Sequence, residues 1–144
     1  MKLEFKSIYI LLCRSFFIVL LMYAGLSKLL EIDLFYDNLY NSPLLPKSES
    51  LLFILTWAIP LIEIMIAIAL CFQSLLKQVL ISIISLLSVY SIYIAAILWI
   101  APYQPCSCGG VISALSWKGH FVLNISSLVL AISCLWLNIK TRNK

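Results

Sequence analysis

Charge is what this chain has least of. Only 11% of its 144 residues are Asp, Glu, Lys or Arg, while 63% are apolar. An ordinary soluble domain carries about a quarter charged residues and roughly half apolar ones. A chain of single-domain length has too small an interior to hide such an excess of apolar side chains. The composition therefore excludes a soluble globule, a disordered chain and a nucleic-acid binder. Acidic residues are scarcer still, six against ten Lys and Arg. The surplus cations stand at the ends of apolar runs, where they act as orientation signals rather than as a binding patch. Internal repeats, low-complexity tracts and flexible linkers are also lacking, so residues 1–144 are expected to form a single integral membrane domain. There is one histidine and no Cys-x-x-Cys or His pair, which leaves little basis for a zinc site.

What is present is a set of four long apolar runs: about 8–30, 51–72, 79–101 and 121–139. Each approaches the ~20 residues that cross a hydrocarbon core. Lipid offers the backbone no hydrogen-bond partners, so each run is expected to be a helix, even the β-branched stretch beginning at Ile81. The fold class expected is an all-α, four-helix transmembrane bundle with two longer loops. Lys2, Lys6, Lys77, Lys140, Arg142 and Lys144 fall on one side, and Lys28, Lys47 and Lys118 on the other. The positive-inside rule then places both termini in the cytoplasm and both longer loops outside, in a multi-pass protein of the cytoplasmic (inner) membrane. The first run is too long for an export signal and no small-x-small cleavage site follows it, so it is expected to be retained. Residues 31–50 alternate aromatic and acidic side chains and are expected to lay a short amphipathic segment on the outer surface.

The chemistry is concentrated in the second outer loop. Of five cysteines, Cys106 and Cys108 alone fall in a loop, within Pro105-Cys106-Ser-Cys108-Gly-Gly110. On the outer side a disulfide can persist. Residues two apart in an extended chain lie at the upper edge of the Cα separation that a disulfide spans, so a bridge here is strained and readily reduced. It closes a tiny loop and constrains the unfolded chain little, which suits exchange better than stapling. A helical turn within Val111–Trp117 would favour a thiolate at Cys108, and His120 is a candidate base. An inert bridge is the alternative reading of the same pair.

Three residues bring charge into the membrane. Glu63, behind Pro60 in the second run, is a functional candidate by default. Depth counting at 1.5 Å per residue puts Glu63 about 14 Å and Arg14 about 9 Å from the cytoplasmic face, and an Arg14–Glu63 pair is expected. The alternative for Glu63 is a neutral carboxyl hydrogen-bonded to Tyr or Ser. Lys28 closes the first run. Cys13, Cys71 and Cys134 fall in the inner half, either as an inner thiol set or as small apolar fillers. Ser82, Ser85, Ser88 and Ser91 recur every third residue and are expected to permit close helix packing, while Trp99, Trp117, Trp136 and Tyr103 are expected to anchor at the interfaces.

Taken in order, Tyr23-Ala-Gly25-Leu-Ser-Lys28, Pro60-Leu-Ile-Glu63 and Cys106-Ser-Cys108-Gly-Gly resemble the MauE branch of the DoxX-like membrane proteins. The resemblance implies a four-helix bundle tied to redox functions. In methylamine utilisation such proteins are implicated, with a thioredoxin-like partner, in maturing a disulfide-rich dehydrogenase subunit. It implies that Cys106 and Cys108 exchange disulfides with a thioredoxin-like protein outside the cytoplasm, as a thiol–disulfide oxidoreductase. No cofactor is evident in the sequence; a membrane quinone is suggested only by analogy with other four-helix thiol oxidoreductases. Two other readings stay open: a non-catalytic scaffold with a fixed Cys106–Cys108 bridge, and a small-solute carrier built on Glu63.

Overall fold

A computed structural model describes residues 2–103 and 116–142. Within them the chain is all-helical: α1 (Lys2–Leu30), α2 (Ile32–Tyr40), α3 (Glu49–Ala69), a single 3₁₀ turn (Gln73–Leu75), α4 (Leu76–Trp99) and α5 (Trp117–Arg142). Helices α1, α3, α4 and α5 are each long and apolar enough to span a bilayer. At most 33% of any span's most apolar window is buried inside the bundle. The rest, including Val19, Phe53, Met65, Val89, Ile92 and Val129, faces outward. Such a surface is stable only in lipid, and this is a multi-pass membrane protein.

The bundle is built from two helix pairs. α1 packs chiefly on α3 and α4 chiefly on α5, with α1–α5 and α3–α4 contacts closing the assembly. The start of α1, the end of α5 and the tight α3–α4 turn lie at one end, the turn end. Residues 41–48, the end of α4 and the start of α5 lie at the other, the loop end. Phe17, Leu70, Leu80, Ile83 and Ala131 are fully enclosed and form a core in the turn half. Toward the loop end the interior becomes polar.

Every span begins before its apolar run does, and the last starts at Trp117 rather than Phe121. Hydrophobicity marks what lies in lipid, whereas a helix continues through flanking residues wherever its hydrogen bonds remain intact. The amphipathic segment expected in residues 31–50 is α2, whose Leu39 is buried while Asp33 and Asp37 are exposed. The serine row does not form a packing seam. Only Ser91 is buried, while Ser82 and Ser85 are exposed. A three-residue repeat falls 60° short of a full turn at each step, so four serines sweep half-way round the helix. Ser82, Ser88 and Ser91 instead return their hydroxyls to the carbonyls four residues back.

A candidate functional site at the loop end

The polar interior centres on Glu63, whose side chain is 1% exposed. Its partner is Lys28, with Nζ 2.8 Å from both carboxylate oxygens. The same ammonium donates to the Ala24 carbonyl at 3.3 Å. Tyr90, from the middle of α4, donates its hydroxyl to Oε1 at 2.7 Å. Three helices thus converge on one carboxylate. Among the described residues no buried side-chain nitrogen or oxygen lacks a partner.

Two features of the sequence bring Lys28 to Glu63. Side chains on a helix lean toward its N-terminus. α1 and α3 are antiparallel, so Lys28 reaches down α1 toward Ala24 while Glu63 reaches up α3 to meet it. The backbones also approach closely one turn away. A Cβ on Gly25 would lie 3.0 Å from the Pro60 carbonyl oxygen and 2.7 Å from Cγ1 of Ile64. The motif pairs Gly25 with Lys28 and the motif pairs Pro60 with Glu63 are therefore two halves of one contact.

The expected Arg14–Glu63 pair does not form. Arg14 donates Nε and Nη2 to the Leu70 carbonyl at 3.1 and 2.7 Å, and Nη2 to the Cys71 carbonyl at 3.1 Å. It thereby satisfies carbonyls released where α3 ends, as basic side chains do at helix C-termini. Depth counting failed because it ranked residues by Cα height and ignored the direction in which each side chain leans. Of the alternative offered for Glu63, the hydroxyl partner is present, as Tyr90. A tyrosine so far from either end of an apolar helix was the available signal, since interfacial tyrosines sit near the ends.

Cys13, Cys71 and Cys134 divide. Cys13 and Cys134 are buried and neighbour one another across α1 and α5, and the Cys13 thiol points at the Leu130 carbonyl. Cys71 is exposed at the turn end.

Cys106 and Cys108 lie outside the described residues, as does most of the Val111–Trp117 stretch. The frame that carries them is described. Trp99, the last residue of α4, meets Phe121 of α5 edge-to-face with ring centroids 5.2 Å apart. Tyr103, three residues before Cys106, donates its hydroxyl to the Asn41 carbonyl at 3.3 Å. Ser42, next in the chain, is fully buried and bonded to the Tyr93 hydroxyl at 2.7 Å. Residues 41–42 and Tyr103 are thus fastened at the loop end. The Tyr93–Ser42 bond went unread in the sequence because a lone serine in a loop and a tyrosine in a span carry no pairing signal. His120 lies in the first turn of α5, half-buried, with its backbone N–H on the Ser116 carbonyl.

The model of the family described as methylamine utilisation protein MauE matches residues 6–137. The chain belongs to the MauE family. That match covers all but the outermost residues of the four spans, the Lys28–Glu63 contact and the segment holding Cys106 and Cys108. No curated protein and no solved structure matches the chain. Family membership and the four-span fold agree, and the Gly25/Lys28 and Pro60/Glu63 motifs meet in the structure.

Proposed function

We propose that this MauE-family protein carries out thiol–disulfide exchange outside the cytoplasm, with Cys106 and Cys108 as the exchanging pair and a thioredoxin-like protein as partner. The family match across the segment that holds both cysteines carries this reading. The Trp99–Phe121 and Tyr103–Asn41 contacts support it, because they hold the flanks of that segment against a rigid bundle.

The exchange balances without further reactants. A thiolate of the reduced partner attacks the Cys106–Cys108 disulfide, and the displaced sulfur leaves as a thiolate that takes up a proton. The partner's second thiolate then breaks the mixed disulfide. Two electrons and two protons end on Cys106 and Cys108, and the partner departs oxidised; the reverse order reduces it. Repeated turnover needs a two-electron carrier, for which a membrane quinone has suitable chemistry. His120, in the first turn of α5, is the candidate to exchange the proton. In the methylamine setting the client would be a disulfide-rich dehydrogenase subunit.

A carrier built on Glu63 is disfavoured by that carboxylate's saturation with Lys28 and Tyr90. The exchange reading is tested with Cys106→Ser and Cys108→Ser. One of the two should accumulate a mixed disulfide with a thioredoxin-like protein, resolved by dithiothreitol. If neither captures a partner and both retain full function, exchange is refuted; a native bridge that resists mild reductant assigns the pair to a fixed scaffold.

A further inference from the structure

A second site lies at the opposite end of the bundle from the cysteine segment. A cavity of about 620 Å³ opens at the turn end between α1, the 3₁₀ turn, the start of α4 and the end of α5. Its polar lining comprises Arg14, Lys77, Ser7, Gln73, Ser74 and Asn138. Two cations stand among hydroxyl and amide groups, and none of the lining residues is a carboxylate. Among the described residues, neither cation takes part in a salt bridge. An excess of positive charge facing a cavity in a protein so poor in charge is a candidate anion site.

We infer that this cavity binds a phosphate group. Arg14 is the principal reason. Its bonds to the Leu70 and Cys71 carbonyls use Nε and Nη2 and fix the guanidinium plane, while the Nη1 donors are left over among the described residues. A guanidinium already held in place loses little freedom when it binds an oxyanion, and its fork matches phosphate geometry. Lys77, on the first turn of α4, adds a mobile point charge, and Gln73 and Asn138 add neutral donors from two further elements. A planar carboxylate has two acceptor oxygens, too few for donors spread around so wide a space; a tetrahedral phosphate presents three or four. The remaining lining is an apolar wall of Ile10, Leu11 and Leu76, of which Leu11 is exposed on the surface of the bundle. The phosphate of an anionic membrane lipid can therefore enter with its glycerol and upper acyl carbons against that wall. Free inorganic phosphate shares the same donors without using the wall.

The full chain, purified in a non-ionic detergent, is titrated with phosphatidylglycerol, with the phosphate-free lipid digalactosyldiacylglycerol, and separately with inorganic phosphate, with bound species counted by native mass spectrometry. One phosphatidylglycerol per chain should survive at concentrations where the galactolipid is lost. Lys77→Gln should weaken binding about tenfold, the loss expected for one charge-assisted hydrogen bond. Arg14→Gln should weaken it at least as much. Because Arg14 also caps α3, Lys77→Gln and Asn138→Ala carry the test if Arg14→Gln unfolds. Phosphatidylglycerol retained and not displaced by millimolar phosphate identifies the lipid as the source. Displacement, or binding of phosphate alone, identifies the free anion and keeps the site. Equal retention of the galactolipid, or unchanged binding in Lys77→Gln and Asn138→Ala together, overturns the proposal.

Discussion

Lys28 holds a position that its place in the sequence does not advertise. It stands near the end of an apolar run, where lysines ordinarily extend toward water, yet its ammonium turns inward to a carboxylate that is 1% exposed. Removing one member of a buried pair leaves a charge without compensation, at a cost of about 3–5 kcal/mol, whereas replacing both with apolar residues of similar volume is often neutral. Lys28→Met and Glu63→Leu are therefore each expected to destabilise the protein by about that amount, and the double variant by less than either alone. Reversible unfolding in mixed micelles checks this; additive losses would show that the two side chains do not act as a pair. The sequence disclosed the acid and its candidacy, and left the partner wrong. Two cations of α1 were within plausible reach of Glu63, and only the lean of side chains on antiparallel helices chooses between Arg14 and Lys28. Tyr90 was legible only as a class of partner.

At the level of elements, helix existence was almost fully legible, because in lipid a long apolar run has no alternative to satisfying its own backbone. Helix ends were not, since hydrophobicity stops at the interface and hydrogen bonding does not. Neighbour relations were also beyond the pattern: apolar surface gives no preference between helix and lipid, so pairing depends on small residues and on a few polar contacts. Gly25 against Pro60 serves α1 and α3. Tyr9 to Ser133 at 2.7 Å, with Cys13 beside Cys134, serves α1 and α5. That second junction is open to direct test. In a chain with Cys71, Cys106 and Cys108 replaced by serine, copper phenanthroline should join Cys13 to Cys134 within one molecule, read as a faster-migrating band that reductant abolishes. Failure to form it, with Cys13 and Cys134 both modified by a membrane-permeant maleimide, would contradict the α1–α5 packing.

For the molecule as a whole, the Lys28 result sharpens the charge asymmetry from which orientation is argued. With its ammonium withdrawn into the bundle, Lys47 and Lys118 alone represent the loop end, against six Lys and Arg at the turn end and in the termini. By the positive-inside rule the loop end is expected to face outside. Cys71 provides a test, being exposed at the turn end. In a chain where it is the sole cysteine, an impermeant maleimide should label Cys71 only after cells are permeabilised, and a cysteine placed at Ser116 should be labelled in intact cells. The opposite pattern would put Cys106 and Cys108 in a reducing compartment and remove the basis for disulfide exchange. The candidate site was half legible at this scale. The Cys106–Cys108 pair stood out as loop chemistry, but the Tyr93–Ser42 and Tyr103–Asn41 bonds at the loop end did not, because they join residues up to 62 positions apart.

The ion pair also has a history during synthesis. Lys28 and Glu63 are separated by 35 positions, and ribosomes add about 5–20 residues per second. For roughly two to seven seconds the nascent α1 holds an ammonium whose counter-ion has not yet been made. Until α3 arrives, that first hairpin has reason to linger beside the insertion machinery, and a delay in translation between the two would lengthen its stay.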